Sequence, residues 1–247
     1  VSETAALLEG AISVTAALTA DSRPVEVVYL RSDKRDRDTA AIARLASERG
    51  ATVERVKAEA LDSMAQGKTH GGVLARVGER RFVALDALGA DSPRPFVVML
   101  DGVEDPYNFG QAVRAFYAAG AAGLVVRPRN WMSAASVVAR ASAGASELIP
   151  TAVSETAEAA ADWARSRGWI VACADKDRAV SIYDADLTVP LFLLIGGEKR
   201  GVTRSFADKA DVRLRIPYGR RFPQALDTTS ASAVLAFEIM RQRGRVV

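Results

Sequence analysis

The sequence is poor in several residue types and patterns that would each have pointed to a class of protein. Its 247 residues include one cysteine, Cys173, so no intrachain disulfide can form and a reducing compartment fits. They include one histidine, His70, and one thiol with one imidazole leaves a structural zinc site without its ligands. No apolar run approaches the roughly 18 residues that a membrane-spanning helix needs. No basic region followed by an apolar stretch opens the sequence at Val1, so no signal peptide is expected. There is no internal repeat and no low-complexity tract. These absences predict a cytoplasmic globular protein with no metal and no membrane partner.

The composition is that of such a protein, with 49% hydrophobic and 26% charged residues. The length suits one large domain or two modest ones, each able to bury a core. The formal net charge is +3, and its distribution says more than its size. Residues 1–94 carry 14 basic and 14 acidic side chains, and residues 95–247 carry 19 and 16. Between Lys199 and Arg245 there are 11 basic residues against 4 acidic ones. Such a cluster suits a polyanion, because phosphate contacts release counterions. A solvated basic face is the plainer alternative.

Hydrophobic periodicity divides the chain in two. Ala5 to Leu18 has helical spacing interrupted by Gly10, and a strand-like run, Val25–Leu30, follows Pro24. An amphipathic helix over Asp36–Arg49 ends at Gly50, followed by a strand over Thr52–Val56, a helix over Glu59–Gln66 and a strand over Gly71–Val77. Gly89 to Pro95 reads as a linker. Beyond it, strands are predicted over Phe96–Leu100, Ala122–Val126, Trp169–Ala174, Leu191–Ile195 and Val212–Ile216. Helices are predicted over Asn108–Ala119, Ser133–Ala143, Ser154–Arg167 and Thr228–Arg241. Continuous apolar strands alternating with helices imply a parallel sheet covered on both faces. The expected domains are residues 1–88 and 95–247.

In an open α/β sheet, ligands sit on the loops beyond the strand C-termini. Three such loops are rich in unusual residues. The first runs from Asp101 to Gly110, with Arg114 further along the helix. Asn108 and Arg114 are six apart, which places both near the helix's opening turns, and arginine offers a planar fork of donors for phosphate. Asp105 or Asn108 could equally serve only as a helix cap. The second loop is Gly196-Gly197-Glu198-Lys199-Arg200-Gly201, where paired glycines admit a ligand close to the backbone. It is neither a Walker loop nor a dinucleotide fingerprint, and a plain strand-to-helix turn would read the same. The third runs from Ile216 to Asp227, stiffened by Pro217 and Pro223, with Arg220 and Arg221 beside Phe222. Its length and composition suit RNA, or an ordinary arginine-bearing surface loop.

Together the three loops resemble the three motifs of the SpoU/TrmH RNA 2′-O-methyltransferases. The first motif is present as Asp105, Pro106, Asn108, Gly110 and Arg114, and the second as Gly196, Glu198 and Gly201. The third opens with Ile216-Pro217 and reaches Leu226 at the expected separation. Ala141 to Ala145 also resembles the family's Ser-Ala-Gly-Ala run, and Thr69 to Val73 resembles the His-x-Gly-Val that closes its N-terminal domain. The third motif departs from the family: its usual Ser-Leu-Asn is Ala225-Leu226-Asp227, which puts a carboxylate where an amide is common.

The resemblance implies an α/β fold with a parallel-sheet catalytic domain over residues 95–247 that ends in a trefoil knot. Residues 1–88 would form a small α/β RNA substrate-binding domain of the ribosomal protein L30e-like kind. It implies S-adenosylmethionine as cofactor, held by Gly196, Gly197, Ile216, Pro217, Tyr218 and Leu226. It implies methyl transfer to a ribose 2′-hydroxyl, with Asn108, Arg114, Glu198 and Asp227 at the reacting centre. His70, Arg220 and Arg221 would contact RNA, with ribosomal RNA favoured over transfer RNA. It also implies a homodimer, in which Arg114 acts on RNA bound mainly to the other subunit. Asp227 could pair with Arg114 and hold it, or help take the proton. The rival readings are a non-catalytic RNA-binding protein that kept the fold, and a transfer-RNA methyltransferase.

Overall fold

The computed structural model describes residues 5–67, 69–129, 133–176 and 178–244. The outer ends of the two expected domains, residues 1–4 and 245–247, lie outside them, and with them Arg245 of the basic stretch. In chain order the elements of the first half are β1 (Ala6–Glu9), α1 (Ala11–Ala20), β2 (Val25–Arg31), α2 (Arg37–Glu48), β3 (Thr52–Val56), α3 (Ala58–Met64) and β4 (Val73–Val77). There follow β5 (Phe96–Asp101), α4 (Pro106–Ala118), β6 (Gly123–Val126), α5 (Ala135–Ala141), α6 (Ala145–Leu148), β7 (Thr151–Val153) and α7 (Ala157–Ser166). The remainder is β8 (Ile170–Ala174), β9 (Val180–Ser181), β10 (Leu191–Gly196), α8 (Arg204–Lys209), β11 (Val212–Arg215) and α9 (Thr228–Gln242). These residues form two compact units, one of residues 1–81 with 129–148 and one of residues 82–128 with 149–247.

The first unit is built on a four-stranded sheet in the order β1-β4-β2-β3. β1 and β2 run antiparallel to β4, and β3 runs parallel to β2. The helix expected over Ala5–Leu18 is in fact a strand and a helix. Gly10 separates them with φ 91°, a conformation that L-residues avoid. Four residues are too few for a period to tell strand from helix, and pairing with β4 decides the matter. Leu8, Val28, Leu30 and Val14 fill the core together with Ala135 and Ala139 of α5, so residues 129–148 supply part of this unit's interior. The single helix expected over Ser133–Ala143 is likewise shorter and is followed by a second one. Ala143 and Gly144 break it with φ 50° and 80°. A Cβ on Gly144 would lie 2.7 Å from that of Ala16, so α1 packs tightly against the break.

Two buried carboxylates bind residues 129–148 into this unit. Glu147 is 3% exposed and accepts from Arg23 Nε and Nη2, both at 2.9 Å, and from Ser22 Oγ at 2.6 Å. Arg80 Nη1 adds an ion pair at 3.5 Å. Burial pushes the Glu147 carboxyl up, but Arg23, Arg80 and the hydrogen bonds outweigh it and hold the group below the ordinary carboxylate range. Glu9 is fully buried, accepts from Arg140 Nη1 at 2.9 Å and takes the backbone N–H of Gln66 at 2.6 Å.

The second unit carries a seven-stranded sheet in the order β7-β6-β5-β10-β8-β11-β9, with every neighbouring pair parallel. Val97, Met99, Phe192 and Leu194 on one face and Phe96, Val98, Leu191 and Leu193 on the other are all buried, so the sheet is covered on both faces, as the unbroken apolar runs predict. The alanine-rich face of α7 (Ala157, Ala160, Ala161, Ala164) fits closely over this sheet, and Trp163 meets Trp169 edge-on at 5.0 Å. The strands β7 and β9 and the helix α8 are too short for periodicity to reveal. Among the described residues, no helix is long and apolar enough to cross a membrane.

Candidate active site

Parallel strands bring all their C-terminal ends to one edge of the sheet, and the loops after β5, β10 and β11 share that edge. The first two are in contact. Gly196 is level with Asp101 in the β10–β5 register. A Cβ on Gly197 would fall 1.9 Å from the carbonyl oxygen of Gly102, and one on Gly196 would fall 2.0 Å from the carbonyl carbon of Gly201. Backbone meets backbone at both points, which only glycine permits. Asp105 caps α4 by accepting from Asn108 N at 2.8 Å, and Pro106 sits in the first turn, where its missing N–H costs nothing. The cap turns Asn108 so that its Nδ2 donates to Glu198 Oε1 at 2.7 Å, joining residues 90 apart in sequence. Beside this bond, Lys199 Nζ donates to Glu104 Oε2 at 2.7 Å. That hydrogen bond lowers the Glu104 pKa and raises that of Lys199.

The third loop stands across a gap. Leu194 of β10 and Arg213 of β11 both register with Cys173 of β8, so Gly196 and Ile216 lie within one residue of the same level. β8 ends at Ala174 between them. Two strand spacings separate β10 from β11, so the notch beyond β8 is on the order of 10 Å wide. Tyr218 and Leu226, beyond Ile216, are exposed. The loop is folded on itself: Tyr218 Oη accepts from Leu226 N at 3.0 Å, and the Tyr218 and Phe222 rings are 6.1 Å apart. Lys176, just past β8, donates to Pro223 O at 3.3 Å.

Some of the residues singled out from sequence come together and others do not. Arg114 is the ninth residue of α4, on its third turn and not near its start, because the helix begins at Pro106. Six residues of helix separate it from Asn108 by about 9 Å along the axis. The pair expected between Asp227 and Arg114 does not form. Asp227 caps α9 instead, taking Ser230 N at 2.8 Å and Ser230 Oγ at 2.6 Å on its two oxygens. Arg114 is exposed and has no hydrogen-bond or ion-pair partner among the described residues. His70 belongs to the first unit and is 7% exposed. Its Nδ1 accepts from Gly72 N at 3.2 Å and its Nε2 meets Asp62 at 2.9 Å, which locks the turn into β4.

The cap makes Asp227 testable. Asparagine caps a helix as well as aspartate does, so Asp227→Asn should leave the melting temperature nearly unchanged, whereas Asp227→Ala should cost about 1 kcal/mol in chemical unfolding. The bonds from Ser230 hold the Asp227 carboxyl below its ordinary range. Its share of stability is therefore complete above about pH 4 and is lost as the pH falls below that.

Sequence reasoning opens the first loop at Asp101 but misses its partner Arg127. Arg127, just after β6, clasps Asp101 at the end of β5 with Nε at 2.6 Å and Nη2 at 2.9 Å. An arginine directly after a buried strand was the available signal. Most of the basic stretch also proves structural. Arg213 bonds Asp208 at 2.6 Å, Arg241 bonds Glu238 at 2.8 Å, and Arg243 bonds the carbonyls of Leu187 and Val189 at 2.9 and 2.7 Å. Arg220 and Arg221 remain exposed, with no such partner among the described residues. Those residues hold no cluster of three or more potential metal ligands.

Two family models match the chain: the SpoU rRNA Methylase family over residues 95–237, and RNA 2′-O ribose methyltransferase substrate binding over residues 7–83. A 23S rRNA (guanosine-2′-O-)-methyltransferase, RlmB, of Shewanella oneidensis is 30% identical over 241 residues, which are 96% of this chain and 97% of that one. Among solved structures, an AdoMet-bound rRNA methyltransferase from Sinorhizobium meliloti matches with a TM-score of 0.79 at 24% identity, covering 96% of this chain and 87% of that one. The SpoU methyltransferase AviRb from Streptomyces viridochromogenes also gives 0.79, at 21% identity, covering 97% and 90%.

Proposed function

The chain belongs to the SpoU rRNA methylase family, and from that premise we propose that it transfers a methyl group from S-adenosylmethionine to a ribose 2′-hydroxyl of 23S ribosomal RNA. The observation that carries the reading is the Asn108–Glu198 hydrogen bond, which joins the first two motif loops at the sheet edge where an α/β fold receives its ligand. The neighbouring notch suits a nucleoside. On this reading its sides would be the glycine backbone of Gly196 and Gly197 and the side chains of Ile216, Tyr218 and Leu226, with Pro217 stiffening the turn. Bound there, S-adenosylmethionine supplies a methyl group activated by its sulfonium. The residues do the rest by placement, which can contribute roughly 7–11 kcal/mol.

Arg114 offers a planar fork of donors matched to phosphate and is a poor base, so its role is to orient the phosphate and the hydroxyl. Asp227 is held by Ser230, and the proton leaves to water. Arg220 and Arg221 take the RNA backbone, and the first unit, with His70 fixing its turn, takes the rest of the RNA. A trefoil knot is supported by the order in which strands are laid down. β10 enters between β5 and β8, and β11 between β8 and β9, after those neighbours are already in the chain. A homodimer is supported by α4 and α9, which pack together yet leave Tyr107 56%, Tyr117 39% and Phe237 46% exposed. The same reading makes the protein cytoplasmic.

The test is methyl transfer to unmodified 23S ribosomal RNA, followed by mapping of 2′-O-methyl positions. The wild type should add one, and Arg114→Ala should lose at least about 100-fold in kcat/KM, the scale of a lost transition-state contact, with S-adenosylmethionine binding intact. Full activity of Arg114→Ala would remove Arg114 from the mechanism. Transfer to a base nitrogen, or none at all from a protein that binds the cofactor, would overturn the reaction.

A further inference from the structure

We propose that Arg178, in the turn between β8 and β9, is a further contact to the RNA phosphodiester backbone, continuing the edge formed by Arg220 and Arg221. The proposal rests on the RNA reading above, but no motif and no part of the family resemblance includes this turn. Three observations carry it. Arg178 has φ 51°, in the left-handed region where glycine is the strain-free residue, and the chain places there a long, permanently charged side chain. The turn is pinned beside the third loop from both ends: Lys176 Nζ donates to Pro223 O at 3.3 Å, and Arg215 Nε to Ala179 O at 3.1 Å. The side chain of Arg178 is exposed and has no hydrogen-bond or ion-pair partner among the described residues.

The surrounding charges point the same way. Asp175 lies 3.9 Å from Arg213 and also accepts from Lys176 N at 2.7 Å. Asp227, at the far end of the third loop, is taken by Ser230. Among the described residues, Asp175 and Asp227 are thus engaged within the fold, while Arg178, Arg220 and Arg221 have no such partner. Three guanidinium groups on adjoining loops, unpartnered among the described residues, make a track for successive phosphates, each contact releasing counterions.

The experiment measures binding of unmodified 23S ribosomal RNA transcript from about 50 to 200 mM salt. Arg178→Gln should reduce the slope of log K against log salt by about 0.7 to 0.9, the increment of one phosphate. Arg178→Lys should keep the wild-type slope. Arg178→Gly should raise the melting temperature, by relieving the left-handed arginine, and yet lose the slope as the glutamine variant does. A purely structural role would not produce that combination. Affinity for S-adenosylmethionine, by calorimetry, should be the same in all three. Unchanged slopes in Arg178→Gln and Arg178→Gly would overturn the assignment while leaving the RNA reading in place. A wild type with neither salt-dependent RNA binding nor methyl transfer would overturn both.

Discussion

Gly197→Ala should abolish methyl transfer to within measurement, a loss of at least about 100-fold, because displacement of reacting groups by 1 Å costs that much. The added Cβ would sit 1.9 Å from Gly102 O, 2.4 Å from Gly102 C and 3.0 Å from Val103 N. All three are backbone atoms, so no rotamer change can make room. Restoring ordinary contact at 3.4 Å requires the two loops to separate by about 1.5 Å. That separation acts on the segment joining Asn108 to Glu198. Overpacking of this kind costs about 1–3 kcal/mol, so the variant should still fold. Gly219→Ala is the control, since its Cβ would meet nothing within 4 Å, and its melting temperature should match the wild type. A Gly197→Ala protein with wild-type kcat/KM would show that the close approach has no catalytic consequence.

Glu147→Ala should destabilise the first unit by about 3–5 kcal/mol, the penalty for leaving buried cations without their counter-charge. Arg23 is 4% exposed, and removing Glu147 strips two of its hydrogen bonds as well as its ion pair. Arg80, whose pKa burial already lowers, loses the charge that compensates it. Removing both partners should cost less than removing one. Arg23→Met combined with Glu147→Leu should therefore be more stable than Glu147→Ala alone. Equal destabilisation of single and double variants in urea unfolding would refute the pairing argument. The pH dependence has a fixed sign. Because the folded-state pKa of Glu147 is depressed, its contribution is complete above the unfolded value near 4.3 and is lost as the pH falls through the folded one.

The sequence made plain whatever rests on short-range pattern. Phe96–Asp101 and Leu191–Gly196 announce buried parallel strands because every residue in them is apolar up to the turn. Asp105-Pro106 starts α4 through local capping chemistry, two residues ahead of the Asn108 at which the pattern alone begins the helix. The motif spacing identified the loops that bear Asn108, Glu198 and Asp227, though not what Asp227 bonds. That choice was made by Ser230, three residues on and within reach of a cap. The Glu147–Arg23 pair spans 124 residues, and each partner sits in an unremarkable stretch, so no window of sequence contains it. β1 escapes the pattern because four residues cannot display a period, and Gly10, which reads as an interruption of a helix, follows the end of a strand.

Residues 129–148 leave the second unit, complete the first and return, so neither unit is a continuous stretch of chain. The order of synthesis is affected. When residue 81 has been translated, the interior around Leu8 and Val14 still lacks Ala135 and Ala139, and Arg23 still lacks its acid. At ordinary elongation rates the missing segment arrives roughly 3 to 13 s later. The nascent first half must spend that interval open, as a target for chaperones. For the same reason, a gene-level exchange of the amino-terminal part alone would transplant an unfinished fold.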